Sequence, residues 1–244
     1  MYIFTFIFLV SIFLSAECRK FPESLKHLRC SKTDNLSACI VKNGNLAIPI
    51  VAEGLPEVNS QKFNPMKLPF VQLISTSSIS LNLSDVTIYG LDEMKIEQAM
   101  VDLKLGVFST LLRGKNVTID GNYIVSGQVL LLPIRGSGRF SVYLKDGIYN
   151  STLNSEVIER DGIKYIRSTG NHLTYNFKLV QFKLDNLFDG NKQLGDEMNK
   201  FLNENWKLIL DDFGPGIANT ISHIHKKNFN DFVSDIPITE IYLE

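Results

Sequence analysis

Cysteine, histidine and tryptophan are scarce in this sequence of 244 residues, which holds three Cys, four His and one Trp. With so few soft ligands there is no Cys/His quartet for a structural zinc. His223 and His225 lie two apart on an expected helix, so they point about 200° apart and cannot easily share an ion. Charge of one sign is lacking too. Lys+Arg 25 against Asp+Glu 26 leaves no basic excess for nucleic acid, and no block of like charge stands out. There is no Pro/Ser linker, no low-complexity tract and no solenoid-length repeat. Long apolar runs are absent apart from Tyr2 to Leu14, which is too short to span a bilayer comfortably. Small residues and then charges follow it, as in a secretory signal with cleavage after Ala16 or after Cys18. Stable membrane insertion is therefore not expected, and residues 19–244 read as one domain.

Catalytic motifs are missing as well. Gly136-Ser137-Gly138 has Arg135 and Arg139 where a nucleophile elbow needs glycines. No third glycine or helix follows for a dinucleotide loop, and it is not a Walker A sequence. Asp211 and Asp212 are adjacent on a helix and diverge. No enzyme activity, cofactor or metal is expected. The glycines are instead expected to bend or bulge a strand, with Pro133 breaking its ladder. The histidines read as exposed or capping, and Trp206 lies off the main apolar stripe.

Turning to what is present, removal of Cys18 with the signal leaves Cys30 and Cys39 to close one small loop, as suits an exported domain. Four Asn-x-Ser/Thr signals, at Asn35, Asn82, Asn116 and Asn150, agree with export. Residues 21–45 read as a short helical hairpin whose apolar side is Leu25, Leu28, Leu36 and Ile40. Four prolines in residues 46–70 argue there for extended chain.

Residues 70–188 alternate as strands do. Val101, Leu103, Leu105 and Val107 face one way; so do Phe140, Val142 and Leu144; so do Leu173, Tyr175, Phe177 and Leu179. Turn signals fall at 90, 120, 145 and 160, and short turns mean antiparallel neighbours. From Leu194 the period becomes helical, predicting one amphipathic helix of about 35 residues, near 50 Å long, kinked at Gly214-Pro215-Gly216. The tail reads as an extended piece returning to the sheet. The fold class is α+β: a long curved antiparallel sheet closed by a long C-terminal helix.

Several stretches carry a family resemblance: the Cys30…Cys39 pair, Gly54-Leu55-Pro56-Glu57, Asn64-Pro65-Met66, Val86-Thr87-Ile88-Tyr89-Gly90-Leu91, Gly121-Asn122-Tyr123 with GQVLLLPIRGSGRF, LDNLFDGNKQLG and FLNENWKLIL. In combination the chain resembles the insect haemolymph juvenile hormone-binding proteins, and more closely their takeout branch. The resemblance implies a tubular lipid-binding-like fold with an apolar tunnel, and secretion as a carrier of a terpenoid or of a fatty-acid- or isoprenoid-like lipid. Hormone-binding members tend to have a second disulfide, for which this chain lacks the cysteines. The tunnel wall would be Tyr123, Val125, Val129, Leu131, Phe140, Val142, Leu144, Leu173, Tyr175 and Phe177, with Met198, Phe201, Leu202, Ile209 and Phe213 from the helix. Tyr123 and Tyr175 are the candidates for polar contact, against the alternative that backbone satisfies them. The partner implied is a hydrophobic small molecule, with a receptor left open. The rival functions are an extracellular signalling or interaction protein with a vestigial pocket and, further off, an esterase.

Overall fold

The computed structural model describes residues 19–32, 35–75 and 78–243; the expected signal segment, residues 1–18, lies outside them. After a 3-10 turn at Glu23–Leu28 come α1 (Leu36–Ala52) and seven strands: β1 (Met66–Ser75), β2 (Ile79–Tyr89), β3 (Lys95–Asp102), β4 (Val107–Val129), β5 (Leu132–Arg160), β6 (Ile163–Asn176) and β7 (Leu179–Leu184). Then follow α2 (Lys192–Glu204), α3 (Trp206–Val233) and the short α4 (Ile238–Ile241). Asn35 caps α1 by accepting from Ala38 N, and Asn191 caps α2 by accepting from Leu194 N, each satisfying a donor the helix leaves orphaned. The Cys30–Cys39 disulfide ties the N-terminal turn to α1.

All strands form one antiparallel sheet, ordered β1-β2-β4-β5-β6, with β3 on β4 and β7 on β5. β4 and β5 are very long because their partners take turns. β3 pairs β4 as far as Arg113, and β2 resumes at Thr118. β7 pairs β5 up to Lys145, and β6 resumes at Ile148. Both interruptions fall at one level, where Gly114 faces Gly147. The level divides the sheet into two lobes: β3-β4-β5-β6 on one side, β1-β2-β4-β5-β7 on the other.

The helices close the sheet through asparagines. An Asn amide carries the same donor and acceptor as a peptide group, so it can complete a ladder at a free edge. Asn199 and Asn203 of α2 exchange paired bonds with the backbone of Leu184 and Phe182 in β7, at 2.8–2.9 Å. Four residues of helix rise about as far as two of strand, so the spacings match. Asn45 of α1 does the same to Ile96 of β3. Asn230 of α3 does it to Ser168 of β6. α3 touches β6 at one margin and β1 at the other, which is the curling that the sequence pattern predicts.

Several local expectations differ from the structure. The 100–108 run is not one strand: Asp102 Oδ1 accepts from Lys104 N and Leu105 N, both 2.9 Å, and turns the chain. Leu103 and Leu105 stand exposed on that turn. Of the four turn signals, those at 120 and 145 lie inside β4 and β5. Opposite the first, β2 absorbs an extra residue at Asp85, whose carboxylate accepts from Asn122 Nδ2. Pro133 does not break the ladder; it pairs with Gln128, just past a two-residue turn. Pro49 lies inside α1, which persists to Ala52 with Asn45 docked on β3. The long helix is interrupted at Asn205 rather than at Gly214-Pro215-Gly216, through which α3 is continuous. The tail forms α4, and Leu243 then bridges to Ser31, beside the disulfide rather than on the sheet.

Candidate functional site

The interior differs between the lobes. In the β1-β2-β4-β5-β7 lobe, Tyr123, Val125, Val129, Phe140, Met198, Leu202 and Ile209 form one packed cluster, with Val142, Phe201 and Phe213 against it. A cleft of about 890 Å³ lined by Met198 and Phe201 opens beside the β4–β5 hairpin. Leu131 sits at the tip of that hairpin, 88% exposed. Leu144, on the same strand face as Phe140 and Val142, is half-buried.

In the other lobe the side chains leave space. A cavity of about 950 Å³ lies between the N-terminal turn, α1, the β3–β4 turn, β5, β6 and the ends of α3 and α4. Its lining is mostly hydrocarbon, including Leu28, Ile40, Phe108, Leu153, Phe229 and Ile241. Tyr242 borders it too, with Lys32 Nζ 5.1 Å from its ring centroid, and burial raises the pKa of its hydroxyl. A second space of about 670 Å³ runs between β6 and α3, where Leu173, Tyr175, Phe177 and Trp206 meet. The proposed wall residues are thus divided: ten belong to the packed lobe's cluster, three to the β6–α3 cleft, and Leu131 and Leu144 to neither.

The two Gly-x-Gly segments serve close approach. Tyr123 Oη donates to Asp185 O at 2.7 Å, across Gly136 and Gly138. A Cβ at Gly138 would stand 2.5 Å from Asp185 O, and one at Gly136 would stand 3.0 Å from the Tyr123 hydroxyl. Tyr175 Oη donates to Gly214 O at 3.0 Å, and a Cβ at Gly214 would stand 2.9 Å from it. Both tyrosines chosen for polar contact therefore have backbone partners. Desolvation, and then the Asp185 charge, push the Tyr123 pKa up to about 12.

Two polar groups escape a sequence reading. Tyr149 lies between Leu112 and Tyr175 in the ladder and packs edge-on against Phe177 at 5.6 Å. Gly147 makes room for its ring, since a Cβ there would meet it at 2.8 Å. Burial raises its pKa, and its hydroxyl has no hydrogen bond among the described residues. His225 comes from the sheet-facing side of α3, its Nδ1 3.1 Å from Asn171 Nδ2 and 3.3 Å from Ser151 Oγ. Crowding by the surrounding protein lowers its pKa, although its side chain remains exposed to solvent. His223 bonds its own helix at Asn219 O. The alternation that turns Phe140, Val142 and Leu144 inward puts Tyr149 on the other parity, which changes at the Gly114–Gly147 level, so no sequence signal pointed to it; for His225 there was the helical spacing from Gly214, Ala218 and Ser222.

The Ser151–His225 contact does not make a nucleophile. Ser151 Oγ donates to Asn171 Oδ1 at 3.0 Å, so its single proton is spent away from the imidazole. Among the described residues no group of His, Cys, Asp and Glu could hold a metal, and no helix is long and apolar enough to cross a membrane.

A curled sheet clasping a long helix, with apolar clefts between them, defines the class of fold. The model described as haemolymph juvenile hormone binding protein matches residues 6–243, and the chain belongs to that family. It is similar to the circadian clock-controlled protein daywake of Drosophila yakuba, 25% identical over 233 residues that cover 91% of this chain and 88% of that protein. The Drosophila melanogaster daywake is 24% identical over the same coverage. The crystal structure of Epiphyas postvittana Takeout 1 matches with a TM-score of 0.79 at 28% identity, covering 88% of this chain and 99% of that one. The long antiparallel sheet with its C-terminal helices is the Takeout fold.

Proposed function

We propose that this protein is a secreted carrier that holds a small hydrophobic molecule, a terpenoid such as juvenile hormone or a fatty-acid- or isoprenoid-like lipid, in its interior. The observation that carries this reading is the apolar cavity of about 950 Å³ beside the disulfide. That size suits ligand pockets, which run to roughly 1,000 Å³. A chain of about fifteen carbons gains roughly 12 kcal/mol on burial, at about 0.8 kcal/mol per methylene. Association costs about 4–15 kcal/mol, so the surplus centres on micromolar binding. The packed lobe then acts as a stopper.

In this reading residues 1–18 are removed on export and residues 19–244 are one domain. The four Asn-x-Ser/Thr signals are candidate glycan acceptors, with Asn35, Asn116 and Asn150 exposed and Asn82 half-buried beside the exposed Ile124. Native mass spectrometry of gently purified protein tests the carrier. A co-purifying apolar molecule is expected. An empty chain that also fails to take up N-phenylnaphthylamine would favour the signalling or interaction reading instead.

A further inference from the structure

The carrier reading leaves the ligand's polar end unassigned, and the charges around the three spaces address it. The cleft beside the β4–β5 hairpin is bordered by one cation, Arg135, and one carboxylate, Glu197, and Arg135 is already paired with Asp189 at 3.1 Å. The β6–α3 cleft is bordered in the same balanced way by Lys207 and Asp211, one turn apart on α3. The larger cavity is not balanced: Arg29, Lys32, Lys104 and Lys164 border it against Asp102 and Glu156.

Both of those carboxylates are engaged. Asp102 accepts from Lys104 N and Leu105 N, and Glu156 accepts from Arg167. Arg29 donates to Lys26 O and Glu240 O. Lys32, Lys104 and Lys164 are exposed, and none of them has an ion pair among the described residues. Lys104 stands on the β3–β4 turn, which Ser155 N holds against β5 by donating to Gly106 O at 2.7 Å. Lys164 comes from β6, on the other side of β5, opposite Glu159, with which it makes no ion pair. Val157, midway on β5 between Ser155 and Glu159, is exposed and borders the same space, as do the exposed Leu103 and Leu105. Unpaired ammonium groups thus flank an apolar mouth.

A carboxylate at such a mouth keeps much of its water and escapes the desolvation cost of an interior charge. An ester of equal length gains the same burial of its chain and nothing from the lysines. Resting on the carrier reading, we infer that the larger cavity takes a long-chain carboxylic acid: its carboxylate lies between Lys104 and Lys164, Lys32 adds to the positive field, and its chain runs inward along Phe108 and Leu153.

The test displaces N-phenylnaphthylamine with laurate, methyl laurate and dodecyltrimethylammonium, from the wild-type protein and from two double variants. One is Lys104→Gln with Lys164→Gln. The other, Lys67→Gln with Lys200→Gln, removes the same charge from exposed positions that border none of the three spaces. In wild-type protein laurate should outcompete its ester about three- to tenfold, the worth of two or three exposed charge pairs, and the cationic probe should be weakest. That preference should shrink towards unity in Lys104→Gln/Lys164→Gln, persist in Lys67→Gln/Lys200→Gln, and fade in wild-type protein as salt rises from about 20 mM to about 500 mM. If acid and ester displace the dye equally, or the ester does so better, the head-group assignment is overturned while the carrier stands. A preference that survives Lys104→Gln/Lys164→Gln, or that both double variants lose alike, overturns it too. Displacement by none of the probes would sink the carrier reading itself.

Discussion

The two lobes share β4 and β5, yet one end of each strand meets a contiguous packed cluster, with a cleft only beside the hairpin, and the other borders a space between the sheet and its covering helices. Tyr123 and Phe140 are buried in a contiguous cluster, whereas Phe108 and Leu153 border the cavity. Strand propensity and alternation are alike in both halves. The difference comes from what covers them. α2 and the start of α3 bring Met198, Leu202, Ile209 and Phe213 down onto the packed lobe. Over the other lobe stand α1 and the end of α3, held to the margins by single asparagines and a disulfide. Emptiness is thus a property of the cover, and covers can be tested.

The largest contrast should come from truncation. Leu202→Ala should cost about 2–5 kcal/mol, because a packed core cannot collapse around the loss. Phe229→Ala should cost under about 1 kcal/mol and instead weaken N-phenylnaphthylamine binding; chemical denaturation and dye titration measure the two. Equal stability losses would abolish the distinction between the lobes. Cys30→Ser with Cys39→Ser should cost about 2–3 kcal/mol for a loop of nine residues. Hydrogen exchange should then rise in α1 and β3 before it rises in β2 or β7.

Hydroxyl deletions sharpen the comparison. Tyr123→Phe should cost about 1–3 kcal/mol, leaving the Asp185 carbonyl without its donor. Tyr149→Phe should leave stability unchanged, since that hydroxyl has no protein partner to lose. The Tyr123 phenol also titrates higher in the folded state, near 12 against 10.0. The folded protein therefore holds its proton where the unfolded chain has released it, so this contribution is whole below pH 10 and declines as pH rises towards 12. Tyr123→Phe should flatten that decline. The smallest effect belongs to the hairpin tip. Leu130 and Leu131 both have positive φ, 46° and 73°, where Asn-Gly is preferred. Replacing them with Asn and Gly should stabilise by about 1 kcal/mol. A fall in affinity in that variant would make Leu131 a ligand contact after all.

Much of this was legible in the sequence. Strand alternation found the antiparallel sheet but ran through the turns at Leu103–Leu105 and at Phe177–Lys178, and cysteine arithmetic found the Cys30–Cys39 bond. The turn signals at 120 and 145 misled because Asp and Gly also serve strand interiors, where a partner's bulge or a close ring demands them. Gly121 leaves space for the Phe140 ring, as Gly147 does for Tyr149. The helix reading counted apolar residues and passed over Asn199 and Asn203, poor helix formers that hold an edge. Which tyrosines had backbone partners depended on contacts between residues 39 and 62 apart in sequence, beyond any local pattern.

The level at which Gly114 faces Gly147 has a mechanical consequence. Elsewhere four or five strands lie side by side and resist bending together, but here only β4 and β5 run through unbroken. Two glycines without side chains mark the line. The sheet should bend most readily along this crease, so each half can keep its own shape while the angle between them changes.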